Sequence, residues 1–222
     1  MKGIFVAGTD TDVGKTFVSA LLIQALKAEK VDPYYYKPVA SGGPVDLDTV
    51  KEFGELDENR SCCPIIFDTP CSPHFASELE HRVISKDEIM KTCKSIVQSE
   101  SYTLIEGAGG VIVPIMRDGF DLYELIKEVN LPVVLVTKTG VGTINHTLLT
   151  LEFLKLKEIK VAGIVFNGYE GGTFEDDNIA LIRKRVDIPV LGIIPKLMSE
   201  PNVCKMKQLA KDNLSEQMHY LL

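Results

Sequence analysis

An apolar run at residues 3–7 (GIFVA) leads directly into GTDTDVGKT at residues 8–16, and an amphipathic stretch follows over 17–29. A strand, a glycine-bearing turn and a helix opening at Lys15 and Thr16 constrain the chain more than any other feature, because such a unit belongs at the carboxyl edge of a parallel sheet. The loop departs from the common spacing of glycine, four residues, then Gly-Lys-Ser/Thr. Counting back from Gly14 puts Thr9 in the first glycine's place, with Gly8 one position early. The remaining chemistry is intact. Backbone amides and the helix dipole favour an anion, Lys15 can reach outer phosphates, and the Thr16 hydroxyl suits the shell of a Mg²⁺ ion. Asp10 and Asp12 are the anomaly, since carboxylates repel phosphate unless lysine, metal or a cationic second substrate faces them.

Short apolar runs, mostly β-branched or aromatic, recur at 34–36, 102–105, 133–136, 161–166 and 190–194, each of strand length. Helical-length stretches separate most of them. The first, 17–29, carries Val18, Leu21, Leu22, Ala25 and Leu26 on one face; 87–97, 121–129, 144–157 and 175–185 repeat the logic less cleanly. This alternation predicts an α/β fold, a doubly wound and mostly parallel sheet with helices on both faces, like that of P-loop nucleotide hydrolases. Residues 57–73, with Cys62-Cys63-Pro64, Pro70 and Pro73, read as an irregular surface excursion rather than a boundary. One domain over residues 1–222 is expected.

Composition limits the ligands. A formal net charge of −7 argues against a general nucleic-acid surface, while helix ends and lysines still leave room for a local anion site. Five cysteines without a C-x-x-C pair point to free thiols in a reducing compartment rather than a thiolate metal centre. Gly8 and Asp10 interrupt the first apolar run too early for a secretory signal, and no run approaches the roughly 20 apolar residues of a membrane helix. A cytoplasmic protein without a membrane partner is expected.

Two further segments deliver charge to the same sheet edge. YYYKPVASGG (34–43) ends a strand with Lys37, on the side where open α/β sheets bind ligands. Asp46 and Asp48 follow near the start of a short helix, where a carboxylate caps as readily as it binds metal. LIEGAGG (104–110) delivers Glu106 with three glycines in the next four positions. A strand-terminal acid after a P-loop is the usual Mg²⁺-associated carboxylate, and the glycines let backbone amides approach a ligand closely.

Gly8-Thr9-Asp10-Thr11-Asp12-Val13-Gly14-Lys15-Thr16, Lys37-Pro38-Val39-Ala40-Ser41-Gly42 and Glu106-Gly107-Ala108-Gly109-Gly110 together closely resemble the dethiobiotin synthetase family. Ser72-Pro73-His74, Ile144-Asn145-His146 and Pro195-x-Leu197 extend the resemblance over nearly the whole chain, and the shifted loop is the family's own form. The resemblance implies a doubly wound P-loop homodimer that closes an ureido ring on 7,8-diaminononanoate with CO₂ and a nucleoside triphosphate. It implies that Lys15, Lys37 and Thr11 are catalytic, with Thr11, Lys37, Ser41, Gly109 and Gly110 on the diamine or its carbamate. Val141, Gly142 and Asn145 would cross the dimer to the substrate's carboxylate tail. Asp12, Val13, Gly14, Lys15, Thr16 and Phe17 would hold the nucleotide with Glu106, Gly107, Ala108 and Gly109. Thr16, Glu106 and one of Asp46 and Asp48 would hold Mg²⁺, with Asp48 favoured because Asp48-Thr49-Val50 fits the family's pattern better.

Asn167 matches an asparagine that reads adenine in the family, with Gly168 and Pro195-Lys196-Leu197 beside it; a turn asparagine before Gly168 is the plain alternative. Tyr169-Glu170-Gly171-Gly172-Thr173 and Lys196 depart from the best-known members, so a looser triphosphate preference than ATP alone stays open. His74 either borders the substrate or packs and caps, His146 either serves the dimer contact or packs, Cys62 and Cys63 lack the basic surroundings of a nucleophile, and 205–216 reads as a solvated helix face. The main rival is an ATP-driven switch or partitioning protein of the same fold. Such proteins typically carry a second lysine early in the loop, where this chain has Asp10 and Asp12. An amidotransferase-type synthetase would want a glutaminase cysteine with a histidine partner, and none stands out.

Overall fold

A computed structural model describes residues 3–99 and 102–222. In chain order the elements are β1 (Gly3–Gly8), α1 (Lys15–Ala28), β2 (Pro33–Tyr36), β3 (Ala40–Ser41), α2 (Val45–Gly54), β4 (Ser61–Cys62), β5 (Ile66–Phe67), α3 (Pro73–Leu79), α4 (Lys86–Gln98), β6 (Tyr102–Gly110), β7 (Pro114–Met116) and β8 (Phe120–Asp121). Then follow α5 (Leu122–Val129), β9 (Val133–Thr137), α6 (Thr143–Leu156), β10 (Val161–Tyr169), α7 (Thr173–Arg185), β11 (Val190–Pro195) and α8 (Val203–Asn213), with single 3₁₀ turns at Glu58–Arg60 and Ser215–Tyr220.

Seven strands form one parallel sheet in the order β11-β10-β9-β1-β6-β2-β4. Side chains alternate across each strand, and both faces are covered. Ile4 and Val6 of β1 join one core with Val18 and Leu21 of α1, Val50 of α2 and Met206 of α8. Phe5 and Ala7 join the opposite core with Ile89 of α4, Leu125 of α5, Leu151 of α6 and Ile179 of α7. Burial on both faces is why these strands read as continuous apolar runs rather than alternating ones.

β1 sits between β6 and β9, so chain direction across the sheet reverses there. The carboxyl ends at such a switch point open a crevice. All six strands read from the sequence are present, and several run further than expected. β6 continues through Glu106 to Gly110, and β10 through Asn167 to Tyr169.

Two expectations are corrected. Residues 57–73 are not wholly irregular: β4 extends the main sheet and β5 pairs with β3 in a small second sheet. Two-residue strands carry no periodicity, so only pairing reveals them. The segment 205–216 is not simply a solvated face. Met206, Leu209 and Ala210 of α8 are buried, and the tail is tied in by the Tyr102 hydroxyl donating to the Leu221 carbonyl at 2.7 Å.

Candidate active site

The shifted loop has a steric explanation. A Cβ on Gly8 would stand 2.7 Å from Val13 Cγ2, and one on Gly14, whose φ is +92°, would stand 2.0 Å from the Asn167 amide nitrogen. Both positions therefore exclude larger residues. Asp12 adopts φ 57°, a left-handed conformation that aspartate visits more readily than most residues. Among the described residues no side chain caps α1, and its first turn holds no acid. The first-turn amides thus face the crevice as an anion site. Lys15 is buried and its Nζ donates to the Asp10 carbonyl at 3.0 Å. Burial lowers its pKa, against the opposing pull of Glu106.

Behind the loop lies a buried charge network. Glu106 is fully buried and Lys37 is 3% exposed. Lys37 Nζ donates to Glu106 Oε1 at 2.8 Å and to Asp46 Oδ2. Thr16 Oγ1 lies 2.8 Å from Asp46 Oδ1 and 2.8 Å from Glu106 Oε1. The buried Tyr35 hydroxyl donates to Glu106 Oε2 at 3.1 Å. Burial alone would push the Lys37 pKa down, but Glu106 and Asp46 outweigh it and hold the ammonium above its ordinary value. The same contest at Asp46 ends with its pKa lowered: burial raises it, and the Lys37 charge and hydrogen bond prevail. Burial and the Glu106 carboxylate push the Tyr35 phenol well up, so it stays a donor.

Asp46, and not the favoured Asp48, is the aspartate that meets this network. Residues two apart on a helix point about 200° apart, and α2 is anchored through buried Val50 and Gly54. Asp46 shares that face at i, i+4 and i+8, whereas Asp48 is exposed on the other side. Asp46, Glu106 and the Thr16 hydroxyl bring three hard oxygens together, and the hydroxyl has one proton for two carboxylates. That donor set fits a Mg²⁺ ion.

A cavity of about 600 Å³ opens on this network, lined by Thr11, Asp12, Gly14, Lys15, Thr16, Lys37, Ser41, Asp46, Ala108 and Gly109, with Pro70 to Pro73 as its far wall. A space of that size suits a small-molecule site. The Ser41 hydroxyl is buried and has no hydrogen-bond partner among the described residues. Val13 is buried beneath the loop and Phe17 packs on the core, so neither side chain lines the cavity. Gly107 lies outside the cavity lining, where a Cβ would meet Leu122 Cδ2 at 2.8 Å. Gly110 lines a smaller neighbouring pocket with Thr9, Asp10 and Thr11.

Other expected residues are not gathered into this cavity. Val141 is 93% exposed, and Gly142 and Asn145 stand exposed beside it at the start of α6. Asn167 Nδ2 donates to the Val13 carbonyl at 2.9 Å, which braces the P-loop. Gly168 follows it in β10, whose last residue, Tyr169, pairs with Pro195 of β11. Lys196 pairs with Glu170 at 2.6 Å, and Leu197 packs on the core. Tyr35 and the 70–73 wall join the site with no signal from local spacing, although Ser72-Pro73 belongs to the family resemblance. Three tyrosines in a row look like strand filler, and no spacing rule links 70–73 to a P-loop more than fifty residues away.

A parallel sheet with a glycine loop, an uncapped helix start, a buried lysine and a hydroxyl between two carboxylates defines a P-loop nucleotide-hydrolase fold. A protein-family profile described as AAA domain matches residues 2–200. The ATP-dependent dethiobiotin synthetase BioD of Fusobacterium nucleatum is 47% identical over 189 residues, covering 82% of this chain and 85% of that protein. The one of Anoxybacillus flavithermus is 36% identical over 207 residues, covering 89% and 93%. The chain belongs to the dethiobiotin synthetase family.

Among solved structures, the MinC:MinD cell division complex of Aquifex aeolicus aligns with TM-score 0.61 at 15% identity, covering 96% of this chain and 95% of that one. Cobyrinic acid a,c-diamide synthase from Mycobacterium smegmatis, with bound ATP analogue and magnesium, aligns with TM-score 0.56 at 12% identity, covering 100% and 96%. Both likenesses concern the fold alone. The switch reading therefore has only shared architecture behind it, while the sequence relatives are synthetases. Among the described residues no helix is long and apolar enough to cross a membrane.

Proposed function

We propose that the protein is an ATP-dependent dethiobiotin synthetase, a ligase forming C–N bonds. The observation that carries this reading is one buried ammonium, Lys37, held between Glu106 and Asp46 at the floor of a cavity that also receives the P-loop. A simple nucleotide switch has no use for a second substrate chamber beside the γ-phosphate position.

In this reaction one amine of 7,8-diaminononanoate takes up CO₂ as a carbamate and loses a proton. A carbamate oxygen attacks the γ-phosphorus of the nucleotide and ADP leaves. The second amine then attacks the carbamoyl carbon, phosphate leaves, and the ureido ring closes. Lys15 and Lys37 offset negative charge on the γ-phosphate and carbamate oxygens, which is the main work phosphoryl transfer asks of a protein. Thr11 at the loop crest and the Ser41 hydroxyl orient the carbamate and diamine. Asp12, exposed beside them, is tolerated because ammonium groups share its space. The backbone of Gly109 and Gly110 flanks the same ligand. Thr16, Asp46 and Glu106 would hold Mg²⁺, which would supply Lewis-acid neutralisation of phosphate charge.

The exposure of Val141, Gly142 and Asn145 supports a homodimer in which they reach a partner's substrate tail. Asn167, Gly168 and the Pro195-Lys196-Leu197 turn flank the base, with Asn167 Oδ1 left as the acceptor once its Nδ2 is committed to the P-loop. A cytoplasmic setting is consistent with five free cysteines. The decisive experiment measures nucleotide hydrolysis with and without 7,8-diaminononanoate and bicarbonate, following dethiobiotin by mass. Diamine-dependent turnover with one dethiobiotin per ADP is expected. Nucleotide turnover that ignores the diamine sinks the reading.

A further inference from the structure

The loop joining β10 to α7 is unusual in having little of its own to hold it. Gly168, Gly171 and Gly172 all adopt positive φ, and a Cβ built on any of them meets nothing within 4 Å. Glycines in open space lose much backbone entropy when fixed, so something outside the loop must fix it. Besides the Lys196 contacts to Tyr169 and Glu170 and the Tyr169–Asp176 hydrogen bond, a nearly buried restraint comes from Glu175 in the first turn of α7. Its Oε2 accepts the backbone amides of Glu170 at 2.8 Å and Gly171 at 3.0 Å.

The other oxygen of the same carboxylate leaves the loop. Glu175 Oε1 accepts the Thr139 hydroxyl at 2.6 Å, from the turn between β9 and α6. Thr139 is buried and Glu175 is 9% exposed. One helical turn on, Asn178 Nδ2 donates to the Thr139 carbonyl at 2.9 Å. Glu175 and Asn178, three apart and hence on one face, thus grip the turn that runs on into Val141 and Gly142. Ordinary capping accounts for the two amide contacts. It does not account for a nearly buried carboxylate spending its second oxygen on another strand's turn, since burying charge is costly unless every acceptor is used.

Resting on the synthetase reading above, we propose that Glu175 is a positioning residue that ties the nucleotide-base loop to the β9–α6 turn, so that the backbone serving the base and the backbone serving the diamine tail are set in one fixed arrangement. Neither loop touches the phosphate chemistry, which stays with Lys15, Lys37 and Thr16. The latch therefore acts on binding of both ligands and leaves the chemical step alone.

The test compares Glu175→Ala with Glu175→Gln and with Asp177→Ala, an exposed position on the same helix. Glutamine can keep all three contacts, its carbonyl taking both amides and its NH₂ donating to Thr139. Glu175→Ala is expected to raise KM for both ATP and 7,8-diaminononanoate about tenfold, the scale of one lost charge-assisted hydrogen bond, with kcat changed less than about twofold. Glu175→Gln should restore most of both KM values, and Asp177→Ala should match wild type. If Glu175→Ala does not fold, Thr139→Val cuts only the bridge. It should raise KM for the diamine several-fold while calorimetric ADP affinity stays within about twofold, because the two loop amides keep their acceptor.

In Glu175→Ala, unchanged KM for either substrate, a fall in kcat alone, or failure of Glu175→Gln to rescue would overturn the latch, and in Thr139→Val an unchanged KM for the diamine would do the same. Wild-type protein that makes no dethiobiotin would sink the synthetase reading separately. Calorimetric ADP binding then still decides the latch's nucleotide half, weakened in Glu175→Ala if the latch holds and unchanged if it does not.

Discussion

The two ends of the candidate nucleotide site are built on opposite principles. At the phosphate end, side chains do the work: Lys37, Glu106, Tyr35 and Lys15 are buried, and Glu106 accepts from Lys37, Thr16 and Tyr35 over 2.8 to 3.1 Å. At the base end, backbone and exposed pairs do it: a glycine loop with open space around it, a surface Lys196–Glu170 pair and one buried carboxylate as anchor. Phosphates are alike in every nucleotide and highly charged, so a low-dielectric, pre-paired floor suits them. Bases are uncharged and varied, and a separate loop whose residues can change without disturbing the floor lets recognition vary while chemistry stays fixed.

That contrast breaks most visibly at Lys37. Lys37→Met leaves Glu106 buried without its ammonium, which should cost about 3–5 kcal/mol in urea unfolding. It should also lower kcat by on the order of a thousandfold, with ADP affinity changed far less. A loss of nucleotide binding as severe as that of Lys15→Ala would mean that Lys37 serves the nucleotide rather than the second substrate.

A medium effect is expected at Asp46, through pH. Against the push of burial, the Lys37 charge and hydrogen bond hold its folded pKa below the ordinary aspartate value, so its contribution to stability is fully present above that ordinary value and is lost as pH falls through the lower folded one. The stability gap between wild type and Asp46→Asn should therefore be constant from neutral pH down to about 5 and close toward pH 2. A gap that widens in acid would show the sign to be wrong. Asp48→Asn should leave the whole profile unchanged, because Asp48 faces away from the network.

The smallest effect belongs to the base end. Lys196→Ala removes an exposed ion pair, and its stability cost should stay within about 1 kcal/mol. Its value lies in the comparison of ATP, GTP and CTP as substrates at matched concentrations. If the loop tolerates several bases, the three should differ by less than about tenfold, and Lys196→Ala should flatten them further. A sharp preference for ATP in the wild type refutes the looser specificity.

Sequence alone determined the sheet, the loop and three of the charged groups. Runs such as Val133-Val134-Leu135-Val136 specify buried strands because no alternation survives burial on two faces. The Gly14-Lys15-Thr16 start, Lys37 and Glu106 were legible because strand ends at one edge of a parallel sheet must meet. Tertiary structure decided the rest. Asp46 rather than Asp48 faces the network because helix rotation, set by the packing of Val50 and Gly54, turned one inward and the other out. Tyr35 became the third partner of Glu106, after Lys37 and Thr16, because adjacent strands stand about 4.8 Å apart, a neighbourhood invisible at a separation of 71 residues. The link from Glu175 to Thr139 spans 36 residues in the same way. Periodicity reports which face a residue takes, and only the packed chain reports what stands opposite it.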